Sequence, residues 1–191
     1  MKICLLPGDG IGVEIVDAAV EVLDAAAKKF GFEIEYDKQL IGGCAIDATG
    51  VPLPEATIAS AKAADAVLLG AVGGPKWDNV APDIRPEKGL LGIRKALGLY
   101  CNLRPMTVSK FTAHLSPLKT ERAEGADLLI VRELTGGIYF GEHNEAHLNA
   151  DGVEEASDVE LYTRPEVERI ARFAFEAAKK RRGKVTSVDK A

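Results

Sequence analysis

Lys2 to Leu6 is a short apolar run broken by Pro7-Gly8-Asp9-Gly10-Ile11-Gly12, the pattern of a buried strand that ends in a tight turn. Beyond the turn, apolar residues at 16, 19, 20 and 23 recur at helical spacing, and Gly31 supplies a C-cap. Phe32 to Tyr36 alternates as a strand does. Glu55 to Ala64 reads as a second helix and Ala66 to Gly70 as a third strand buried on both faces. Strand, helix, strand, helix, strand predicts a parallel sheet with crossover connections, and hence an α/β fold.

From Ala71 to Lys88 the pattern gives way to Gly, Pro, Asp and Asn around one Trp. Irregular stretches of that length inside compact domains are often functional. Periodicity returns with a helix over Gly89 to Leu97, a strand over Tyr100 to Met106 and a buried strand over Leu128 to Arg132. Asn144 to Leu148 and Glu155 to Tyr162 alternate around Asn149-Ala150-Asp151-Gly152, which predicts a hairpin. Pro165 opens a last helix whose buried stripe is Val167, Ile170, Phe173 and Ala174. Lys184 to Val188 is predicted as a final strand. There is no internal repeat and no low-complexity tract.

Composition narrows the class. At 191 residues, 47% hydrophobic and 28% charged, the chain has the balance of an ordinary globular protein, which excludes disordered and collagen-like classes. A net charge of −5 opposes attraction to nucleic acid or to an anionic membrane, so neither is expected as a partner. Cys4, Cys44 and Cys101 are odd in number and form no CxxC pair, as expected of a reducing, cytoplasmic setting. The apolar run at the N-terminus is too short for a signal peptide, and no stretch approaches the roughly 20 apolar residues of a membrane span.

The glycine-rich turn after the first strand invites a dinucleotide reading. It fails the G-x-G-x-x-G fingerprint, because position 13 is Val. Three arginines carry more chemistry. Arg94, Arg104 and Arg132 fall at helix or strand ends around one sheet edge, and a guanidinium is suited to bidentate capture of a carboxylate. Each alone is better read as an arginine paired with an internal acid such as Glu133; together they make a dicarboxylate site competitive. Gly136 and Gly137 deliver Tyr139, whose phenol can give a proton, although a turn running into a strand gives the same pattern. Lys190, at the end of the last predicted strand, stands where α/β sheets place ligands and would serve as a base if its pKa were lowered. His143 and His147 alternate within a strand rather than sharing a helix face, so they are read as non-ligands. Lys179-Lys180-Arg181-Arg182 reads as the cationic last turn of a helix.

Taken in order, Leu6 to Gly12, Gly70 to Trp77, Asn102 to Pro105, Arg132 to Gly141 and Ser187 to Ala191 resemble the β-decarboxylating dehydrogenases of the isocitrate and isopropylmalate type, along the whole chain. The resemblance implies an α/β fold that is not a Rossmann fold, mostly parallel, with a second α/β domain and a β-hairpin dimer arm over about 144–162. Residues 1–99 would begin the first domain and 100–191 the second. It implies NAD and Mg²⁺ or Mn²⁺ as cofactors, a homodimer, and oxidative decarboxylation of a malate-type acid in leucine biosynthesis. Arg94, Arg104 and Arg132 would hold the substrate carboxylates, with Tyr139 and Lys190 managing its protons. Gly74, Pro75, Lys76, Trp77, Asp78, Asn79 and Glu87 would lie in the NAD site, and no metal ligand would lie in this chain, the family's ligand aspartates falling beyond residue 191.

Substrate choice turns on Glu87, Leu90 and Leu91. The two leucines offer an apolar wall to an isopropyl group, whereas a third carboxylate against them would lose several kcal/mol of hydration. This favours 3-isopropylmalate over isocitrate. Tartrate or homoisocitrate chemistry, and a non-catalytic carboxylate-binding protein, are the alternatives. The chain is expected to be part of a longer protein and to show no turnover alone.

Overall fold

The computed structural model describes residues 1–188. The chain forms two units, Met1–Gly98 and a second beginning at Leu99. In the first, strands β1 (Lys2–Gly8), β2 (Glu35–Lys38) and β3 (Ala66–Ala71) form a parallel sheet in the order β2-β1-β3. Helices α1 (Ile11–Phe30), α2 (Gly43–Thr49), α3 (Glu55–Ala63) and α4 (Pro86–Ala96) complete the unit. The α/β class and the parallel sheet agree with the pattern of the sequence.

The central strand carries the core. Successive side chains of a strand point to opposite faces. Cys4 and Leu6 accordingly pack with Ile41, Ala61 and Ile93, while Ile3 and Leu5 pack with Val16 of α1. Burial on both faces is why β1 reads as an unbroken apolar run. Val20 and Leu23 extend the α1 contact, and Gly31 closes the helix in the left-handed region with its N–H on the Ala27 carbonyl. The glycine-rich turn owes its composition to close packing: a Cβ on Gly12 would lie 2.6 Å from the backbone nitrogen of Ala71. Only glycine lets α1 approach β3 this closely.

Two boundaries and one helix differ from expectation. β2 begins at Glu35 instead of Phe32, and α4 begins at Pro86 instead of Gly89. Proline fits the first helical turn, where its missing N–H is not needed. Helix α2 was not foreseen at all.

In the second unit, β4 (Cys101–Thr107) and β5 (Asp127–Glu133) pair antiparallel, with the short helix α5 (Thr120–Ala123) between them in sequence. β6 (His143–Leu148) and β7 (Glu154–Asp158) form the predicted hairpin, closed by the Asn149 N–H on the Val153 carbonyl. Helix α6 (Arg164–Lys179) starts with Pro165 in its first turn and a capping box of Thr163 and Glu166. It lies along the face of β5 that bears Asp127 and Glu133. Arg169 donates to Glu133 at 2.9 Å, and Arg181 and Arg182 donate to Asp127 at 2.6 and 3.1 Å. The basic run after α6 is therefore a latch onto β5 as well as a complement to the helix dipole.

The opposite face of β5 corrects the expectation of a buried strand, since Leu128 and Ile130 are each 48% exposed. Val167, expected in the buried stripe of α6, is exposed as well. The strand predicted over Lys184 to Val188 is irregular chain. A strand needs a neighbouring backbone for its hydrogen bonds, and among the described residues none pairs with this segment.

The hairpin supplies a titration test. His143 of β6 faces Asp158 of β7 in register and bonds it, with Glu145 on its other ring nitrogen. These bonds, that to Asp158 foremost, raise the His143 pKa above the ordinary 6.5. A raised histidine pKa makes the contact fully stabilising below the unfolded value and removes it as pH rises through the folded value. NMR titration is expected to place the His143 midpoint above 6.5, and Asp158→Asn to lower it. A midpoint indifferent to that substitution would show that the pair does not form in solution.

Candidate active site

Helix α4 sets the first part of the site. Pro86, Gly89 and Ile93 are its buried residues, and Leu97 just past its end packs against the Ile41 and Ile93 core. Glu87, Leu90, Leu91 and Arg94 follow one another at i, i+3, i+4 and i+7, which brings them onto one stripe beside that buried face. Leu90, Leu91 and Arg94 are half-buried and Glu87 is exposed. The stripe therefore combines a carboxylate, two partly covered apolar side chains and a guanidinium.

Next to it lies a recess of about 280 Å³ lined by Gly74, Trp77, Asp78, Arg85, Pro86 and Glu87. Gly74, Trp77, Asp78 and Glu87 of the expected cofactor residues thus meet in one place. Pro75, Lys76 and Asn79 are not among its lining residues. Pro75 opens the 3-10 turn Pro75–Trp77 that shapes the loop. Lys76 turns to Asp47 at 2.5 Å, and its ammonium lies 5.2 Å from the centre of the Trp77 ring. Trp77 Nε1 donates to the same carboxylate at 3.2 Å. These two donors hold the Asp47 carboxyl below the ordinary carboxylate range.

The loop is fixed from beneath by a residue that the reading of the sequence passed over. Asp9 is 4% exposed, and its carboxylate accepts the N–H groups of Gly43 and Cys44 at 2.7 Å and of Gly73 at 2.8 Å. It caps α2 from a distant strand end and ties the start of the recess loop to the sheet. Asp9→Ala would strand three backbone amides. Bonds to a charged group contribute about 1.5–3 kcal/mol each, and losses within one network are not additive. A loss of about 4 kcal/mol of stability is expected, read as a lower urea midpoint. An unchanged midpoint would remove Asp9 from this role.

In the second unit the β4–β5 register brings Arg104 and Arg132 together. Arg132 is opposite Asn102, and Arg104 is opposite Ile130. Both arginines therefore stand on one face of the ribbon as diagonal neighbours, about 7–8 Å apart in such ladders. Arg104 Nε donates to Asn102 Oδ1 at 2.6 Å, which aims it along that face. Arg104 occupies the middle of β4, not the strand end expected for it. Glu133, the internal acid considered as a partner for these arginines, is engaged on the other face by Arg169 and by the Thr135 and Gly136 amides. Arg94 belongs to the first unit.

Tyr139 ends the 3-10 turn Gly137–Tyr139 that follows β5, in place of the strand considered for it. Lys190 lies outside the described residues. Among the described residues no group of three or more His, Cys, Asp or Glu side chains could hold a metal ion. No helix among them is long and apolar enough to cross a membrane.

The chain belongs to the isocitrate/isopropylmalate dehydrogenase family, whose model matches residues 2–191. It is 59% identical over 190 residues to a 3-isopropylmalate dehydrogenase of Bacillus licheniformis, covering 100% of this chain and 51% of that protein. A chloroplastic 3-isopropylmalate dehydrogenase of Arabidopsis thaliana is 57% identical over 189 residues, covering 99% and 47%. Among solved structures, isocitrate dehydrogenase from Methylococcus capsulatus superposes with a TM-score of 0.69 at 33% identity, covering 94% of this chain and 48% of that one. An apo β-decarboxylating dehydrogenase from Thermococcus kodakarensis gives 0.64 at 36% identity, covering 94% and 46%. The chain thus spans about half the length of the relatives it matches.

Proposed function

We propose that the complete protein catalyses the NAD-dependent oxidative decarboxylation of 3-isopropylmalate to 4-methyl-2-oxopentanoate in leucine biosynthesis. The observation that carries this reading is the α4 stripe, where Leu90 and Leu91 lie one turn from Arg94 and one turn from Glu87 at the recess. A small branched acid needs that pairing of apolar wall and cation. The names of the relatives at 57–59% identity point the same way.

In this reading Arg94, Arg104 and Arg132 hold the two carboxylates, and Leu90 and Leu91 receive the isopropyl group. Gly74, Trp77, Asp78 and Glu87 at the recess would hold part of the dinucleotide, which when bound would supply the hydride acceptor for the carbinol carbon. Lys190 takes the hydroxyl proton in the same oxidation. Loss of carbon dioxide leaves the bonding pair on the adjacent carbon as an enolate, and Tyr139 returns a proton to that carbon. A divalent ion, held by residues other than those described, would supply Lewis-acid polarisation of the oxygen. The remaining proposals are a homodimer with the β6–β7 hairpin as its arm, a fold distinct from the Rossmann type, and a reducing cytoplasmic setting in which Cys4, Cys44 and Cys101 stay free thiols.

Initial rates of the complete enzyme on 3-isopropylmalate, isocitrate, tartrate and homoisocitrate test the assignment. The first is expected to give the highest kcat/KM. Leu90→Ala is expected to reduce that value by about tenfold or more, the usual worth of lost apolar contact in a substrate pocket. A higher rate on any rival acid would overturn the choice of substrate.

A further inference from the structure

The end of β5 carries a half-buried charge network that the proposed chemistry does not use. Glu133 Oε2 accepts the N–H of Thr135 at 2.8 Å and of Gly136 at 2.7 Å. Its Oε1 accepts the Thr135 hydroxyl at 3.1 Å and Arg169 Nη2 at 2.9 Å. The Glu133 side chain is only 12% exposed. Arg169 reaches it from α6 and lies over the Tyr100 ring, 4.8 Å from its centre, while its Nε is buried with no hydrogen-bond partner.

What the network holds is the entrance to the turn that carries Tyr139. Thr135 and Gly136 are fixed by Glu133, and the Gly137 N–H donates to the Leu161 carbonyl at 2.9 Å. Gly137 has φ +75, and a Cβ on Gly136 would lie 2.7 Å from the Tyr162 ring. The Phe140 and Gly141 amides then close on the Gly137 carbonyl. Each amide from Leu134 to Gly137 is thereby held: Leu134 on the Tyr100 carbonyl, Thr135 and Gly136 on the carboxylate, and Gly137 on the Leu161 carbonyl.

We infer that Glu133 and Arg169 are positioning residues for Tyr139: the half-buried pair sets the turn from which the phenol delivers its proton. This rests on the reading of Tyr139 as the proton donor. Neither side chain needs to touch substrate, and a displacement of about 1 Å at the donor is enough to cost about 100-fold in rate.

The test uses the complete enzyme. Glu133→Gln is expected to lower kcat by up to about 100-fold with KM for the hydroxy acid nearly unchanged. Hydride transfer precedes protonation, so rapid mixing should show a burst of reduced nicotinamide followed by slow turnover. Tyr139→Phe should give the same burst, and Glu133→Gln should add little on that background. Amide hydrogen exchange at Thr135 and Gly136 should quicken in Glu133→Gln, a readout independent of turnover. If that variant does not fold, Arg169→Lys keeps the charge, loses the planar fork and should show a milder form of the same burst. An unchanged kcat, a slowed hydride step without a burst, or effects of Glu133→Gln and Tyr139→Phe that multiply in full would overturn the inference. Should Tyr139→Phe itself turn over normally, the reading of Tyr139 fails instead, and the two failures are told apart.

Discussion

Arg132→Lys is expected to lower kcat/KM for 3-isopropylmalate by about 100-fold, equivalent to about 2.7 kcal/mol of lost transition-state stabilisation. Lysine retains the positive charge, so a smaller loss would follow if charge alone mattered. It cannot reproduce the planar fork that meets a carboxylate with two parallel bonds. Arg104→Lys should act in the same direction, because the β4–β5 register places it diagonally from Arg132 on the same face. Combining the two should give less than the product of the separate losses, since both forks would act on one small molecule. Thermal stability should move little. Steady-state kinetics with a melting curve for each variant checks this. Undiminished kcat/KM in either variant would take that arginine out of the site.

Loss of the proton-handling side chains should be larger still. Lys190→Met and Tyr139→Phe are each expected to reduce kcat by about 10²–10⁴-fold, the usual contribution of a positioned acid or base. Their signatures should differ. Removing the lysine should suppress hydride transfer itself, because the hydroxyl proton then has no acceptor. Removing the phenol should leave hydride transfer intact and let the enol accumulate. Rapid mixing resolves the two, with a nicotinamide burst in Tyr139→Phe and none in Lys190→Met. A burst in both, or in neither, would contradict the roles given to them.

Much of the first unit was legible in the sequence because its elements bury faces of regular period. β1 is covered on both sides and is a continuous apolar run; α1 packs Val16, Val20 and Leu23 at helical spacing and ends at Gly31. Helix α2 was not legible. It has no apolar stripe and no capping side chain of its own, and its first amides are satisfied by Asp9, 34 residues away from Gly43 in sequence. A cap supplied by tertiary structure leaves no local pattern. The strand over Lys184 to Val188 failed for the converse reason: its local pattern is right, but a strand is completed by a neighbour.

The candidate site divides in the same way. Residues whose chemistry is distinctive, such as the arginines and the Gly74–Trp77 loop, could be singled out from type and motif. That Glu87, Leu90, Leu91 and Arg94 form one stripe became visible only once α4 was seen to begin at Pro86, since a helix from Gly89 would have left Glu87 in the loop. Arg85 and Pro86 join the recess through that same helix start. Glu133 and Arg169 were beyond reach, because an ion pair between residues 36 apart depends on α6 lying against β5.

The central claim is that three arginines grip one branched dicarboxylate against two leucines. A crystal structure of the complete enzyme with 3-isopropylmalate bound tests it most directly. The account predicts guanidinium nitrogens of Arg94, Arg104 and Arg132 at about 2.7–2.9 Å from the carboxylate oxygens, with the isopropyl group against Leu90 and Leu91. Arginines dispersed away from the ligand, or bonded only to acids of the protein itself, would contradict it.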